Sequence, residues 1–144
     1  MCKDAKMNMG HLLSRDEIGR LLLPLTRQED LQLIILFGSL AKGPVHPRSD
    51  IDLAFLFDQP VDPLHLTNRV VRLLHTDRVD VVDLRRTTPL LAFSAAKNGR
   101  ILYERSPGIF NNFYSYAFRR FIDTAKLREA QSQAIRSFRD RSRP

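Results

Sequence analysis

Apolar positions along this chain change period several times, and each change marks an element. Ser14-Arg15-Asp16-Glu17 has the form of a capping box, with Ile18, Leu21, Leu22 and Leu25 following at helical spacing. Pro24 limits that helix near its end. Leu31 to Phe37 is a continuous apolar run, predicted as a buried strand that Gly38 ends. Residues 42–49, KGPVHPRS, hold Gly, Pro and Ser and form a loop. Ile51 to Phe57 is a second strand. Asp62 caps the next helix with Pro63 at its first position, and Leu66, Val70, Val71 and Leu74 supply its apolar face. Arg78 to Leu84 is a third strand, Thr88-Pro89 opens a helix that Asn98-Gly99 closes, and Arg100 to Tyr103 is a short fourth strand. Residues 108–140 are helical, with Phe110, Phe113, Phe118 and Phe121 on a buried face. A break at Asp123-Thr124 splits this stretch, with Thr124 capping the second helix. The order predicts an α/β domain: a mixed sheet of about four strands flanked by helices, with a C-terminal helical tail.

Composition adds boundaries to that picture. A length of 144 residues with 43% hydrophobic content suits one domain with a real core. Cys2 is the single cysteine, so no intrachain disulfide forms and a cytoplasmic setting is expected. The apolar runs fall far short of the roughly 20 residues that span a bilayer, so no membrane partner is expected. The opening MCKDAKMNMG has no signal-peptide core, and residues 1–12 read as a frayed leader. Net charge is +7 and unevenly placed: residues 1–104 carry 14 Lys/Arg and 13 Asp/Glu, a net +1, while residues 105–144 carry 9 and 3, a net +6. The basic tail, with Arg136, Arg139, Arg141 and Arg143, is either a surface for RNA or an acidic partner, or a solvated helix face.

The chemistry concentrates in two short stretches, Phe37-Gly38-Ser39-Leu40-Ala41-Lys42-Gly43 and Arg48-Ser49-Asp50-Ile51-Asp52. Glycine lets a phosphate approach the backbone, and serine offers a hydroxyl and an N–H. If Ser39 starts a helical turn, its free N–H groups make an anion site. Asp50 and Asp52 sit two apart at a strand start, so alternation points both to one face. Like charges that close repel unless a cation lies between them. Mg²⁺ suits the pair, since it prefers one or two carboxylates plus phosphate oxygens. A metal pair about 3.5–4 Å apart would activate the attacking oxygen and steady the leaving pyrophosphate. The third strand offers Asp80 and Asp83, which face opposite sides of the sheet. Asp80 is expected to be buried among valines and is chosen as third metal ligand and general base, while Asp83 pairs with Arg85 or Arg86 at the strand end. Arg48 and Ser49 are candidates to contact phosphate or to hold Asp50, with a plain loop role as the alternative. His11, His46, His65 and His75 show no metal-ligand spacing.

Gly38-Ser39, ten residues, then Asp50-Ile51-Asp52 resembles the signature of the DNA-polymerase-β-like nucleotidyltransferase superfamily. The wording SDIDLAF, the strand VDVVDL, the segment TTPLLAFSAAKNGRILYE and the basic tail are similar to the minimal nucleotidyltransferase (MNT) antitoxins of HEPN/MNT toxin–antitoxin pairs. The resemblance covers roughly residues 30–140. It implies a polymerase-β-like core over residues 1–107, with residues 108–144 as a helical extension of the same domain. It also implies transfer of AMP from ATP, with Mg²⁺ (two ions), to a tyrosine of a partner HEPN ribonuclease, which is silenced. Gly38 and Ser39 match the triphosphate-binding positions, Asp50 and Asp52 the metal positions, and Asp80 the third acidic position. Lys42 stands where the family carries arginine, which keeps the charge and loses the bidentate fork.

Three functions follow for testing. The first is an adenylyltransferase antitoxin, favoured because no second substrate domain accompanies the core and a protein can bring its own acceptor. The second is a free-standing transferase acting on a small-molecule hydroxyl. The third is an antitoxin that works by stoichiometric docking through its basic tail.

Overall fold

The computed structural model of the chain describes residues 13–42 and 50–142, leaving aside the side chains of Ser39 and Lys42. The leader 1–12 and the candidates His46, Arg48 and Ser49 lie outside the described residues. The chain begins with α1 (Arg15–Leu21), continues through a 3-10 turn (Leu23–Arg27), β1 (Leu31–Phe37), a single helical turn α2 (Ser39–Lys42) and β2 (Ile51–Phe57). Then follow α3 (Pro63–Leu74), β3 (Val79–Asp83), α4 (Pro89–Asn98), β4 (Arg100–Glu104), α5 (Ile109–Asp123) and α6 (Ala125–Arg141).

Local chemistry sets most of these boundaries. Ser14 Oγ accepts from the Glu17 N–H at 3.2 Å, and Pro24 lies in the tighter turn that follows α1. Asp62 caps α3 through the Leu64 N–H at 3.1 Å, and Thr88 caps α4 through the Leu91 N–H at 3.2 Å. Gly99 closes α4 as expected, in extended backbone (φ −82°). Its reason for being glycine is space: a Cβ there would lie 2.3 Å from the Ala95 carbonyl oxygen and 2.3 Å from Ile35 Cγ2. Gly99→Ala is therefore expected to destabilise the protein by roughly 1–3 kcal/mol, read as a lower urea midpoint with unchanged slope. Thr124 holds the N-cap position of α6 as expected, but its side chain makes no cap hydrogen bond there. Its hydroxyl donates backwards to the Arg120 carbonyl at 2.8 Å, serving the end of α5. Phe118 is 45% exposed rather than buried, because the inward stripe of α5 runs through Phe113 and Ala117.

The strand order is β3-β2-β1-β4. β1 is antiparallel to both β2 and β4, while β2 and β3 are parallel. A two-sided core explains the continuous apolar reading of β1 and β2. On one face Ile34, Leu36, Leu53 and Phe55 pack with Ile18 of α1 and Leu66, Val70 and Leu74 of α3. On the other Leu33, Ile35 and Ala54 pack with Ala92, Ala95 and Ala96 of α4 and Phe113 and Ala117 of α5. A register shift between Leu31 and Leu33 sends these two leucines to opposite faces. Alternation along β2 then places Asp52 on the α4/α5 face, since Leu53 points to the other one. α6 contributes no buried residue.

Candidate active site

The candidate site forms where three strands end together. β1 runs out at Phe37, whose antiparallel partner on β2 is Asp52. The parallel neighbour of Asp52 on β3 is Asp80. Asp50, two residues before Asp52, lies just ahead of β2. The pairing thus brings Asp52 and Asp80 to one end of one sheet face, although nearly thirty positions separate them in sequence, with Asp50 near enough for its charge to act on Asp52.

Gly38 makes the approach possible. Its φ is +75°, a region L side chains rarely adopt, and an added Cβ would stand 2.1 Å from Asp52 Oδ2 and 3.0 Å from its Cγ. The glycine yields room to a carboxylate of the chain itself. The backbone then turns at once into α2, where the Ala41 N–H donates to the Gly38 carbonyl at 3.2 Å. Ser39 does begin a helical turn, so its first N–H groups have no partner within α2.

Asp52 carries the electrostatic strain of the site. Its carboxyl is pushed above the ordinary aspartate value by partial burial first, then by the charge of Asp80, then by that of Asp50. The ion pairs of the neighbouring acids, Arg85 with Asp58 at 3.9 Å and Arg86 with Asp83 at 4.0 Å, lie elsewhere along the strands. Asp83 also accepts from the Arg85 N–H at 3.0 Å, as its strand-end position suggests. Among the described residues no three His, Cys, Asp or Glu side chains are gathered tightly enough to cage a metal by themselves. The carboxylates could hold a metal only together with other ligands, and Mg²⁺ is a cation that takes one or two carboxylates plus phosphate oxygens.

One sequence-based expectation about the site is corrected. Asp80 is exposed, not buried among valines. Val79 and Val81 find the α3 side of the core, and Val82 and Leu84 the α4/α5 side, while Asp80 lies exposed near the start of this edge strand, ahead of that cover. A contact that sequence reading missed is Arg100. It pairs with Leu36 across β1 and β4, and its Nε donates to the Ala41 carbonyl at 3.4 Å, tying down the end of α2. Only the strand order brings it there. A groove of about 510 Å³, lined by Gln32, Asp58, Arg85, Asn112 and Tyr116 among others, lies at the opposite end of the strands and contains none of the candidate residues.

A sheet of this order, with paired carboxylates beside a Gly-Ser turn, is the arrangement that the resemblance to nucleotidyltransferases implies. The profile of the polymerase beta nucleotidyltransferase family matches residues 23–108, and the chain belongs to that family. Within it, the chain is similar to the protein adenylyltransferase MntA of Aphanizomenon flos-aquae, 26% identical over 129 residues, which are 81% of this chain and 86% of that protein. It also matches a crystal structure of a toxin–antitoxin with AMP-PNP, at 30% identity and a TM-score of 0.65, covering 87% of this chain and 97% of the other. A third match is the MNT antitoxin in complex with the tri-AMPylated HEPN toxin of Shewanella oneidensis, at 26% identity and a TM-score of 0.62, covering 85% of this chain and 96% of that one.

Proposed function

We propose that this chain is an Mg²⁺-dependent antitoxin that transfers AMP from ATP to a tyrosine of a partner HEPN ribonuclease and so silences it, in the cytoplasm. The observation that carries the reading is the meeting of Asp50, Asp52 and Asp80 beside Gly38. The relatives supply the donor and acceptor classes, since one matched toxin–antitoxin holds AMP-PNP and another is bound to an AMPylated toxin. No helix among the described residues is long and apolar enough to cross a membrane.

The residues fit the metal. Three hard oxygen donors repel one another at Asp52, and a divalent cation relieves that repulsion. Asp50, Asp52 and Asp80 would hold Mg²⁺, which when bound neutralises charge developing on the phosphate oxygens. Gly38, Ser39, Lys42 and Ser49 are assigned to the triphosphate, with backbone N–H groups at the start of α2 as further donors to its anionic oxygens. Asp80 takes the proton of the acceptor hydroxyl. The freed oxygen bonds to the α-phosphorus, the bond from that phosphorus to the bridging oxygen breaks, and pyrophosphate leaves. The exposure of Asp80 on an edge strand suits this task, because a protein-borne tyrosine needs an open approach to its base.

The test is incubation of the chain with labelled ATP, Mg²⁺ and the protein encoded by the neighbouring gene, expected to be a HEPN-domain protein. Label is expected on that protein, and it disappears when Asp50 and Asp52 are both changed to Ala. Label on an added aminoglycoside-type alcohol instead would favour a small-molecule transferase. Absence of transfer, with the toxin still neutralised, would leave docking alone.

A further inference from the structure

We propose that α6 is a docking helix that inserts into an apolar, acid-rimmed groove of the partner protein, outside the transferase site. The identity of that partner rests on the functional reading above, but the docking surface rests on the helix. Every residue from Glu129 to Ser142 is exposed. Leu127, Ile135 and Phe138 stand 59%, 60% and 71% exposed. A helix of 17 residues is marginal in water, and such helices owe most of their stability to packing an amphipathic face. This one packs no such face within the chain.

The placement of charge says what covers it. At 3.6 residues per turn, Leu127, Ala134 and Phe138 fall in one stripe with Ile135 on its edge. Arg139 runs along that edge and Arg141 sits at the C-terminal end of the stripe, while Glu129 and Asp140 fall on the opposite side. Gln131 interrupts the stripe, Lys126 and Ser137 flank its other edge, and Arg136 lies on the far side with the acids, so the rim is basic and polar with no acidic residue on it. A second copy of this chain would bring arginine against arginine, which is repulsive. A nucleic-acid backbone would meet the arginines but leave Ile135 and Phe138 in water. A groove with an apolar floor and carboxylates on its rim satisfies both sets, in the helix-in-groove manner. The helix base is fixed for presentation: the Arg128 guanidinium lies 3.9 Å over the Phe121 ring and donates to the Phe121 carbonyl at 2.7 Å, holding α6 against the end of α5.

The experiment compares the full chain with an Ile135→Asp/Phe138→Asp double variant and with Arg139→Glu. Each is titrated against the same neighbouring-gene protein, and folding is checked by thermal melting. The double variant is expected to raise Kd at least about tenfold, with a matching rise in KM for the partner and none in KM for ATP. Arg139→Glu weakens binding in a way that added salt diminishes. Unchanged affinity in the double variant overturns the proposal, as does failure of the wild-type chain to bind. It is likewise overturned if the double variant abolishes self-association or RNA binding while partner affinity stays the same. A wild-type chain that binds through this helix but transfers no AMP would sink the enzymatic reading and leave the docking helix standing.

Discussion

Asp52→Asn is expected to lower AMP transfer by about 10³-fold or more, while raising the melting temperature of the metal-free protein. The two effects have one cause. Asp52 is half-buried, with the charges of Asp80 and Asp50 against it, so its ionised form is disfavoured in the folded chain. Asparagine keeps the shape and removes the charge, which relieves the repulsion and also removes the metal's reason to bind. The linkage has a definite sign. A carboxyl whose folded pKa is raised costs stability at neutral pH. That cost falls away as pH drops through the raised value and vanishes below the ordinary aspartate value. The melting deficit of metal-free wild type against Asp52→Asn should therefore shrink as pH falls through the raised value and vanish only below the ordinary aspartate range. Mg²⁺ with ATP should stabilise wild type and leave the variant unmoved. A variant that melts lower than wild type at every pH, or that retains transfer, would contradict this account of Asp52.

The second large effect is expected from adding one carbon. Gly38→Ala places a Cβ where Asp52 Oδ2 now sits, at 2.1 Å, on a backbone with φ +75°. The backbone term costs roughly 1–2 kcal/mol. The clash falls on the movable end of a side chain, so the fold survives and the carboxylate is displaced instead. A displacement of about 1 Å at a catalytic group costs on the order of 10²-fold in rate. Transfer kinetics and melting of the same preparation separate the two terms. Loss of transfer in a chain that still melts cooperatively is the predicted outcome, and full activity would show that Asp52 does not need its present position. Gly99→Ala offers the contrast, since the Cβ there meets a backbone carbonyl and the loss is one of stability.

Much of this was legible in the sequence because local chemistry decided it. Leu31–Phe37 and Ile51–Phe57 are strands with the bounds their apolar runs suggest, and Asp62-Pro63 and Thr88-Pro89 open helices as capping requires. The parity of Asp50 and Asp52 placed both on one face. What could not be read was anything dependent on strand order. β3 lies at the edge with Asp80 near its start, ahead of the stretch where Val82 and Leu84 meet the core, and Asp80 is exposed. β4 lies beside β1, which delivers Arg100 to the α2 turn from the far side of the sheet. Gly99 shows the same limit, because the Ile35 methyl that crowds it belongs to a strand more than sixty positions away. The aromatic spacing of α5 was read correctly as helical. It did not tell which edge of the stripe met the sheet, and Phe118 fell outside, touching Phe93 at 5.7 Å between ring centroids.

The central claim is that Asp50, Asp52 and Asp80 form one metal site on which the nucleotide phosphates complete the shell. Crystals of the chain grown with Mn²⁺ and AMP-PNP test it most directly, through the anomalous signal of the metal. The account predicts density bridging the carboxylates of Asp50 and Asp52 to phosphate oxygens, with the Asp80 carboxylate at the same cluster. Metal bound away from these three residues, or nucleotide bound at the groove between Asp58 and Tyr116 instead, would contradict it.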